Sequence, residues 1–217
     1  DMPIEASMVS GSIESAQRKV ESRNFGIRKN VLQYDEVMNS QRQIIYSQRD
    51  QVLNGENMKD SIQKMIQESI QANVKTYLPE NTPHEQWDLA GLREHYMGWV
   101  IGEGDLRFAP SEIEDLEPQF VTEELQKKAA ALYEKKEQEF TPNVMREVER
   151  VVLLRVVDQE WMDHIDAMEQ LQDGIRLRAY AQQDPVVEYR LEGFDMFDAM
   201  IAAIRENTAK MILTVRL

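Results

Sequence analysis

The fold is decided by residues 10–53, which read SGSIESAQRKVESRNFGIRKNVLQYDEVMNSQRQIIYSQRDQVL. Apolar and amide side chains recur here at alternating steps of three and four residues, which is the period of one face of an α-helix. This stripe consists of Ile13, Gln17, Val20, Asn24, Ile27, Val31, Tyr34, Met38, Gln41, Ile45, Gln48 and Val52. A helix over the whole stretch would be about 66 Å long at 1.5 Å per residue. We therefore expect a spine along which other parts of a protein pack.

Helical spacing continues on the C-terminal side of this spine. A second helix is predicted through Ile62 and Val74, until Leu78-Pro79 stops it. Polar residues followed by proline or glutamate are typical of helix starts. The starts predicted in this way are Thr82-Pro83, Thr122-Glu123-Glu124, Thr141-Pro142 and Asp184-Pro185. The sequence therefore predicts an all-α fold.

The last two predicted helices are joined by a short connection, which is typical of an antiparallel helical hairpin. We predict that the first of them ends at Asp173-Gly174 and that residues 175–183, IRLRAYAQQ, form its irregular tip. Arginine and tyrosine side chains beyond both helices have the composition of contact hot spots. Tyr180, Arg176 and Arg178 are the candidates, although a generic solvated loop is an open alternative.

Composition excludes several classes of function. The chain has 217 residues with 25 Lys and Arg against 39 Asp and Glu, a net charge of −14, so binding to nucleic acid is not expected. It contains no cysteine, which excludes disulfides, thiol nucleophiles and Cys-ligated metals. No apolar run is long enough for a membrane span. Because the chain starts at Asp1 without methionine or a signal sequence, we expect a fragment of a larger protein.

The known catalytic motifs are missing from the sequence. No Gly-Lys pair occurs, so the phosphate-binding P-loop is absent, and Gly102-Glu103-Gly104 lacks the third glycine of a dinucleotide turn. The histidines are too far apart in sequence for a metal motif, and His164 is interpreted as a surface or packing residue. A carboxylate-based hydrolase would need pairing of acids such as Asp158 and Asp163. We expect no catalytic residue, bound cofactor or metal in this chain.

Several long strings resemble the SecA family of bacterial preprotein translocase ATPases. Residues 13–25, IESAQRKVESRNF, together with residues 28–37 and 45–49, are similar to the long scaffold helix of that family. Residues 161–168, WMDHIDAM, and residues 174–185, GIRLRAYAQQDP, are similar to its two-helix finger. The resemblance covers essentially the whole chain. It implies a helical scaffold over residues 1–54, a helical wing over 55–141, and the scaffold continued with the finger over 142–217, with the finger tip at about 173–185.

The family resemblance also implies partners and site residues. The finger tip would contact unfolded preprotein and the SecYEG channel through Tyr180, Arg176, Arg178, Ile175, Leu177 and Gln182. The long helix would contact the motor folds and the preprotein cross-linking domain of the same SecA chain through Arg18, Arg23, Asn24, Arg28, Tyr34, Asp35, Arg42 and Arg49. ATP and Mg²⁺ would bind outside this region. The implied location is the bacterial cytoplasm and the cytoplasmic face of the cell membrane, with peripheral attachment and a possible homodimer.

Two functional interpretations therefore stay open. The chain is either the non-catalytic scaffold, wing and finger portion of a SecA-type motor, or a free-standing helical adaptor or holdase that dimerises through its long helix. The exposure of apolar side chains distinguishes these interpretations, because a fragment of a larger motor should carry apolar stripes that absent domains would cover.

Overall fold

The computed structural model describes residues 7–54, 57–178 and 184–216. Its helices in chain order are α1 (Ser7–Leu53), α2 (Lys59–Tyr77), a 3-10 helix (His84–Gln86), α3 (Leu89–Tyr96), α4 (Pro110–Ile113), α5 (Pro118–Phe140), α6 (Pro142–Arg178) and α7 (Pro185–Thr214). No strand occurs within the described ranges. The predicted all-α class is confirmed, and so is the uninterrupted long helix at the start of the chain.

Within the described ranges, proline marks four helix starts, at Pro110, Pro118, Pro142 and Pro185, of which the last two were predicted. Helices α6 and α7 begin at Pro142 and Pro185, as expected for a residue whose fixed φ suits the first helical turn. Helix α5 begins at Pro118, four residues before the predicted start at Thr122. The hydroxyl of Thr122 donates to the Pro118 carbonyl at 2.9 Å, so this threonine bonds back along the helix instead of capping it.

The predicted helix start at Thr82-Pro83 is wrong. Only a single 3-10 turn follows, and the backbone is extended at Trp87 before α3 begins. The Asp88 side chain is the cap, because its carboxylate accepts from the Gly91 N–H at 2.8 Å. The turn is fixed by three hydrogen bonds to the Pro79 carbonyl. The Thr82 hydroxyl donates at 2.8 Å, and the Thr82 N–H and the Trp87 indole each donate at 3.2 Å.

Helix α6 also departs from its prediction, because it continues through Gly174 and ends at Arg178. A glycine inside a helix costs about 1 kcal/mol relative to alanine. The next residue, Ile175, is fully buried, and burial of such a side chain contributes about 1.5–3 kcal/mol. Core packing therefore outweighs the weak helix propensity that suggested an end at residue 173.

Tertiary contacts divide the chain into two compact units. The first contains the chain up to Ile44 together with Ile165–Phe197, and the second contains Ile45–His164 together with Asp198–Leu217. In the second unit, α2 packs against α3 and α5. Its core is built from stripes with near-four-residue spacing, Ile62, Ile66, Ile70 and Val74 on α2 and Val121, Leu125, Ala129 and Tyr133 on α5. The division into scaffold, wing and finger at residues 54 and 141 stays a prediction.

Candidate functional site

The first unit is a helical hairpin packed on the long helix. Segments of α6 and α7 pack with α1 around a buried cluster consisting of Tyr34, Met168, Leu171, Ile175, Val186 and Tyr189. The rings of Tyr34 and Tyr189 meet edge to face, with centroids 4.7 Å apart and an interplanar angle of 75°. Burial raises the pKa of Tyr189 to about 12, so the phenol stays neutral. This core supports the hairpin up to the last turns before its tip.

Helices α1, α6 and α7 approach closely at Gly193. The side-chain amide of buried Gln41 donates to the Gly193 carbonyl at 3.0 Å. A Cβ on Gly193 would lie 2.7 Å from the terminal methyl of Met168, which is itself fully buried. Glycine therefore suits this close approach, and any larger residue would require the Met168 methyl to move.

The structure describes the predicted tip residues only in part. Tyr180 and Gln182 lie outside the described residues, and so do the side chains of Arg176, Leu177 and Arg178, whose backbone belongs to the last turn of α6. Ile175 is 0% exposed and belongs to the hairpin core. The prediction that Ile175 is a tip contact is therefore wrong, because its side chain presents no surface to a partner.

The long helix has a different surface in each half. From Val9 to Leu32, large apolar side chains are exposed, and Phe25 and Leu32 reach 65% and 68% exposure. The others are Val9, Ile13, Val20, Ile27 and Val31. From Tyr34 onward the predicted stripe is covered at Tyr34, Gln41, Ile45 and Val52. Large apolar side chains exposed at so many positions along one helix are typical of an interaction surface.

Most of the predicted interdomain residues lie on this accessible surface. Those exposed on α1 are Arg18, Arg23, Asn24, Arg28, Asp35 and Arg42. Arg18 forms an ion pair with Glu14 one turn earlier, and Arg42 donates to Asn39 at 3.0 Å. Tyr34 is 5% exposed and packs within the chain, so its assignment as a contact with another domain is corrected.

Arg49 lies in the second unit and is half-buried. It forms an ion pair with Asp158 on α6, which ties the end of α1 to that helix within the unit. Asp163 instead accepts from Gln159 at 3.0 Å. The two acids considered for a hydrolase thus have separate partners, and the structure does not bring them together.

A network of ionisable groups joins α2, α5 and α6, and sequence reasoning missed it. Arg146 lies 2.7 Å from Glu137 and 3.0 Å from Glu149, and it donates to the Tyr133 hydroxyl at 2.9 Å. Lys59 also pairs with the Glu137 carboxylate, at 2.8 Å. The Tyr133 hydroxyl in turn donates to Glu149, which is fully buried. Two cations and two carboxylates therefore balance each other where three helices meet.

The two carboxyls of this network are held differently. The hydrogen bond from Lys59 lowers the pKa of Glu137, whereas burial raises the pKa of Glu149. One carboxylate oxygen of Glu149 has no hydrogen-bond partner within the described part of the chain, which leaves its burial incompletely compensated. The burial of Glu149 could have been predicted from its position in the helical pattern. It falls four residues after buried Met145 and three before buried Val152, on the apolar stripe of α6.

His164 is a packing residue, as predicted. It is 5% exposed on α6, and its ring centroid lies 5.6 Å from that of Trp161. Burial lowers its pKa.

Across residues 7–54, 57–178 and 184–216, no three His, Asp or Glu side chains are grouped so that they could hold a metal ion. Over the same residues no helix has both the length and the apolarity of a membrane span.

Comparison with known proteins identifies the region. Residues 3–216 match the family model described as the SecA wing and scaffold domain. Similar proteins include the protein translocase subunit SecA of Pelotomaculum thermopropionicum, 49% identical over 99% of this chain, and that of Acetivibrio thermocellus, 48% identical over 100% of it. In each case the match spans 24% of the relative's own length.

The family prediction made from the long-helix and hairpin strings is thus confirmed over nearly every residue. The chain spans about a quarter of the length of the curated relatives it matches. The matched region and its all-α structure agree, and the chain belongs to the SecA wing and scaffold family.

Proposed function

We propose that this chain is the non-catalytic scaffold, wing and finger portion of a SecA-type translocase. In this role it couples ATPase folds that lie outside the chain to the movement of unfolded preprotein through the SecYEG channel. ATP and Mg²⁺ would bind those other folds. The translocase relatives, matched over almost the whole of this chain, support the proposal.

The exposed face of α1 carries the proposal. Seven large apolar side chains between Val9 and Leu32 are solvent-exposed, beside cations such as Arg23 and Arg28. Covering these apolar groups would contribute about 25 cal/mol for each Å² removed from water, which favours docking of another domain. A spine with one covered half and one open half fits a scaffold that joins separate domains.

The finger part of the proposal rests on a stiff support. The hairpin core, closed by the Tyr34–Tyr189 pair and by the Gln41 bond to Gly193, would transmit a displacement at its base to the tip. Tyr180 and the arginines before it would then contact the translocating chain and the channel. Aromatic and guanidinium groups suit contacts with arbitrary polypeptide because they do not depend on one partner side chain.

Site-directed cross-linking tests this function directly. Because the chain has no native cysteine, Tyr180→Cys provides a single attachment site, and Glu134→Cys on the exposed surface of α5 is the matched control. Each variant would be combined with the remaining part of a SecA protein on SecYEG membranes that carry a stalled preprotein. We expect adducts to channel and preprotein from position 180 alone. If the motor part binds but position 180 forms neither adduct, the finger role is refuted.

The same exposed face favours one alternative, a free-standing adaptor that dimerises through α1. Phe25→Asp and Leu32→Asp place charges on the open face, whereas Tyr46→Asp, also exposed, lies beyond it. Under our proposal the first two variants lose binding to the motor part and the third keeps it. Sedimentation that shows a stable dimer, lost in the same two variants while motor binding persists, would favour the adaptor.

A further inference from the structure

Four helices of the second unit surround a cavity of about 260 Å³. Its walls are contributed by segments of α1, α2, α6 and α7 and by the residue that precedes α2. All of the lining residues belong to that one unit. We call this cavity the junction pocket.

The inner lining of the junction pocket is aliphatic. Its buried side chains are Val52, Leu153, Val157 and Ile204. Met58 and Met65 line the pocket as well, and both are half-buried. Methionine is flexible and polarisable, so these two side chains can adapt to the shape of a ligand. The interior therefore suits an alkyl group.

The charged part of the lining is mainly positive. Its charged residues are Arg49, Lys64, Arg205 and Glu68. Arg49 pairs with Asp158, so Glu68 alone balances the other two cations. Within the described residues, one positive charge at the pocket therefore has no counterpart, although the whole chain has a net charge of −14.

The two cations that share Glu68 have unused hydrogen-bonding capacity. The Lys64 ammonium is exposed and lies 3.7 Å from the Glu68 carboxylate, which is too far for a hydrogen bond. Arg205 approaches Glu68 through Nε at 3.2 Å, and neither of its terminal nitrogens donates a hydrogen bond in the described part of the chain. A guanidinium edge and an ammonium are both strong donors to a carboxylate.

These features together select an amphipathic anion. A cationic ligand or a metal ion would be repelled by the excess positive charge. A nucleotide would place polar groups against the aliphatic walls. A neutral apolar molecule would leave the donors of Lys64 and Arg205 unused. Since ligand pockets usually have volumes of about 300–1,000 Å³, the ligand must also be small.

We propose that the junction pocket binds a fatty carboxylate of medium chain length. The alkyl chain lies among the aliphatic and methionine side chains, and the carboxylate accepts hydrogen bonds from Lys64 and Arg205. The bound ligand contacts all four helices, so it stabilises their packing within the second unit. This site is separate from the open face of α1 and from the hairpin, and it stands whether or not the proposed motor role holds.

NMR of methionine methyl groups in the 217-residue chain tests the proposal. Of the twelve methionines, Met58 and Met65 line the pocket, whereas Met162 is exposed on α6 outside it and provides an internal control. The probe is octanoate. Octanol has a similar chain without the charge, and acetate has the charge without the chain.

We expect octanoate to shift the Met58 and Met65 signals saturably and to leave Met162 unchanged. Octanol should bind about tenfold more weakly, because it cannot pair with the cations, and acetate should cause no shift.

A series of carboxylates tests the aliphatic lining. From butanoate through hexanoate to octanoate, each methylene that enters the pocket should raise the affinity about fourfold. The affinity should level off with longer carboxylates, because the cavity is then filled. A rise that continues unchanged to dodecanoate would instead indicate adsorption on an open surface, and the pocket assignment would be wrong.

Protein variants locate the charged end of the ligand. Lys64→Gln combined with Arg205→Gln should weaken octanoate binding about tenfold and leave octanol binding unchanged. The control Lys127→Gln combined with Lys135→Gln removes the same charge from exposed positions on α5. None of these four side chains is buried, so circular dichroism should show unchanged helix content.

Four results would overturn the proposal. Octanoate might shift neither Met58 nor Met65. Equal affinity for octanol and octanoate would show that the pocket does not recognise the charge. Equal weakening by the control double variant would mean that octanoate senses net charge. Binding to phosphatidylglycerol vesicles that the first double variant abolishes, without binding of free octanoate, would assign the two cations to a membrane surface.

Discussion

Ile175 distinguishes a hairpin core from a hairpin tip, and the change Ile175→Ala measures the difference. The substitution removes three carbons from a fully buried side chain, which at about 0.8 kcal/mol each amounts to about 2.4 kcal/mol of lost transfer free energy. An unfilled cavity adds to this cost, whereas the better helix propensity of alanine returns about 0.4 kcal/mol. We expect the free energy of unfolding to fall by about 3 kcal/mol.

Urea unfolding followed by far-UV circular dichroism provides the assay. All three tryptophans lie in the other unit, so tryptophan fluorescence does not report on this core. Hydrogen exchange of the peptides that span residues 165–178 locates the effect instead. Leu191→Ala is the matched control, since Leu191 lies on α7 in the same unit and is 63% exposed. The control should change stability by less than about 0.5 kcal/mol. If Ile175→Ala also costs less than about 1 kcal/mol at an unchanged denaturant slope, Ile175 is not a core residue and the reasoning is refuted.

Three further predictions concern other positions. Burial holds the pKa of His164 below its usual 6.5, so the unfolded chain binds more protons between these two values. The free energy of unfolding should therefore decline as pH falls from 6.5 through the folded pKa. Urea titrations of His164→Leu at the same pH values should not show this decline. Tyr133→Phe removes the hydroxyl that donates to Glu149 and should cost about 1–3 kcal/mol in urea unfolding, whereas Tyr46→Phe at an exposed ring should cost almost nothing. Tyr180→Ala should reduce preprotein transport by vesicles while helix content stays unchanged, and a loss of helix content would contradict its assignment to an exposed tip.

Much of the fold could be predicted because its signals are local. Helical periodicity is a property of each segment alone, so α1 was predicted to within three residues at its start and at the residue where it ends. Pro142 and Pro185 fixed two further starts, because proline restricts its own backbone whatever surrounds it. The stretches of sequence that resemble the SecA family lie on these same helices.

The errors arise where another contact competes with the helix signal of a single residue. Gly174 favours a helix end, but burial of the following isoleucine extends α6 by another turn. Thr82 has the side chain of a cap, yet it bonds to the Pro79 carbonyl, and Asp88 caps the next helix in its place. Core packing thus decides the first outcome, whereas a tight turn between Pro79 and Thr82 decides the second.

The candidate site was predictable in chemistry but not in exposure. The cations and apolar residues of α1 could be identified from sequence, but whether the stripe is covered depends on what packs against it, and only its second half is covered by this chain. The balanced network around Glu149 requires that α2, α5 and α6 meet at one point. No local pattern contains that information.

The open half of α1 has a consequence for the energetics of assembly. Between Val9 and Leu32 the side chains are exposed, so the backbone there is stabilised mainly by its own helical hydrogen bonds. Most helical stability in proteins comes from tertiary packing, so amides in a helical segment with exposed side chains open more readily to solvent. A protein that covers this face supplies the missing free energy and slows the opening. Amide protection in the first turns of α1 is therefore a direct thermodynamic measure of whether the spine is occupied.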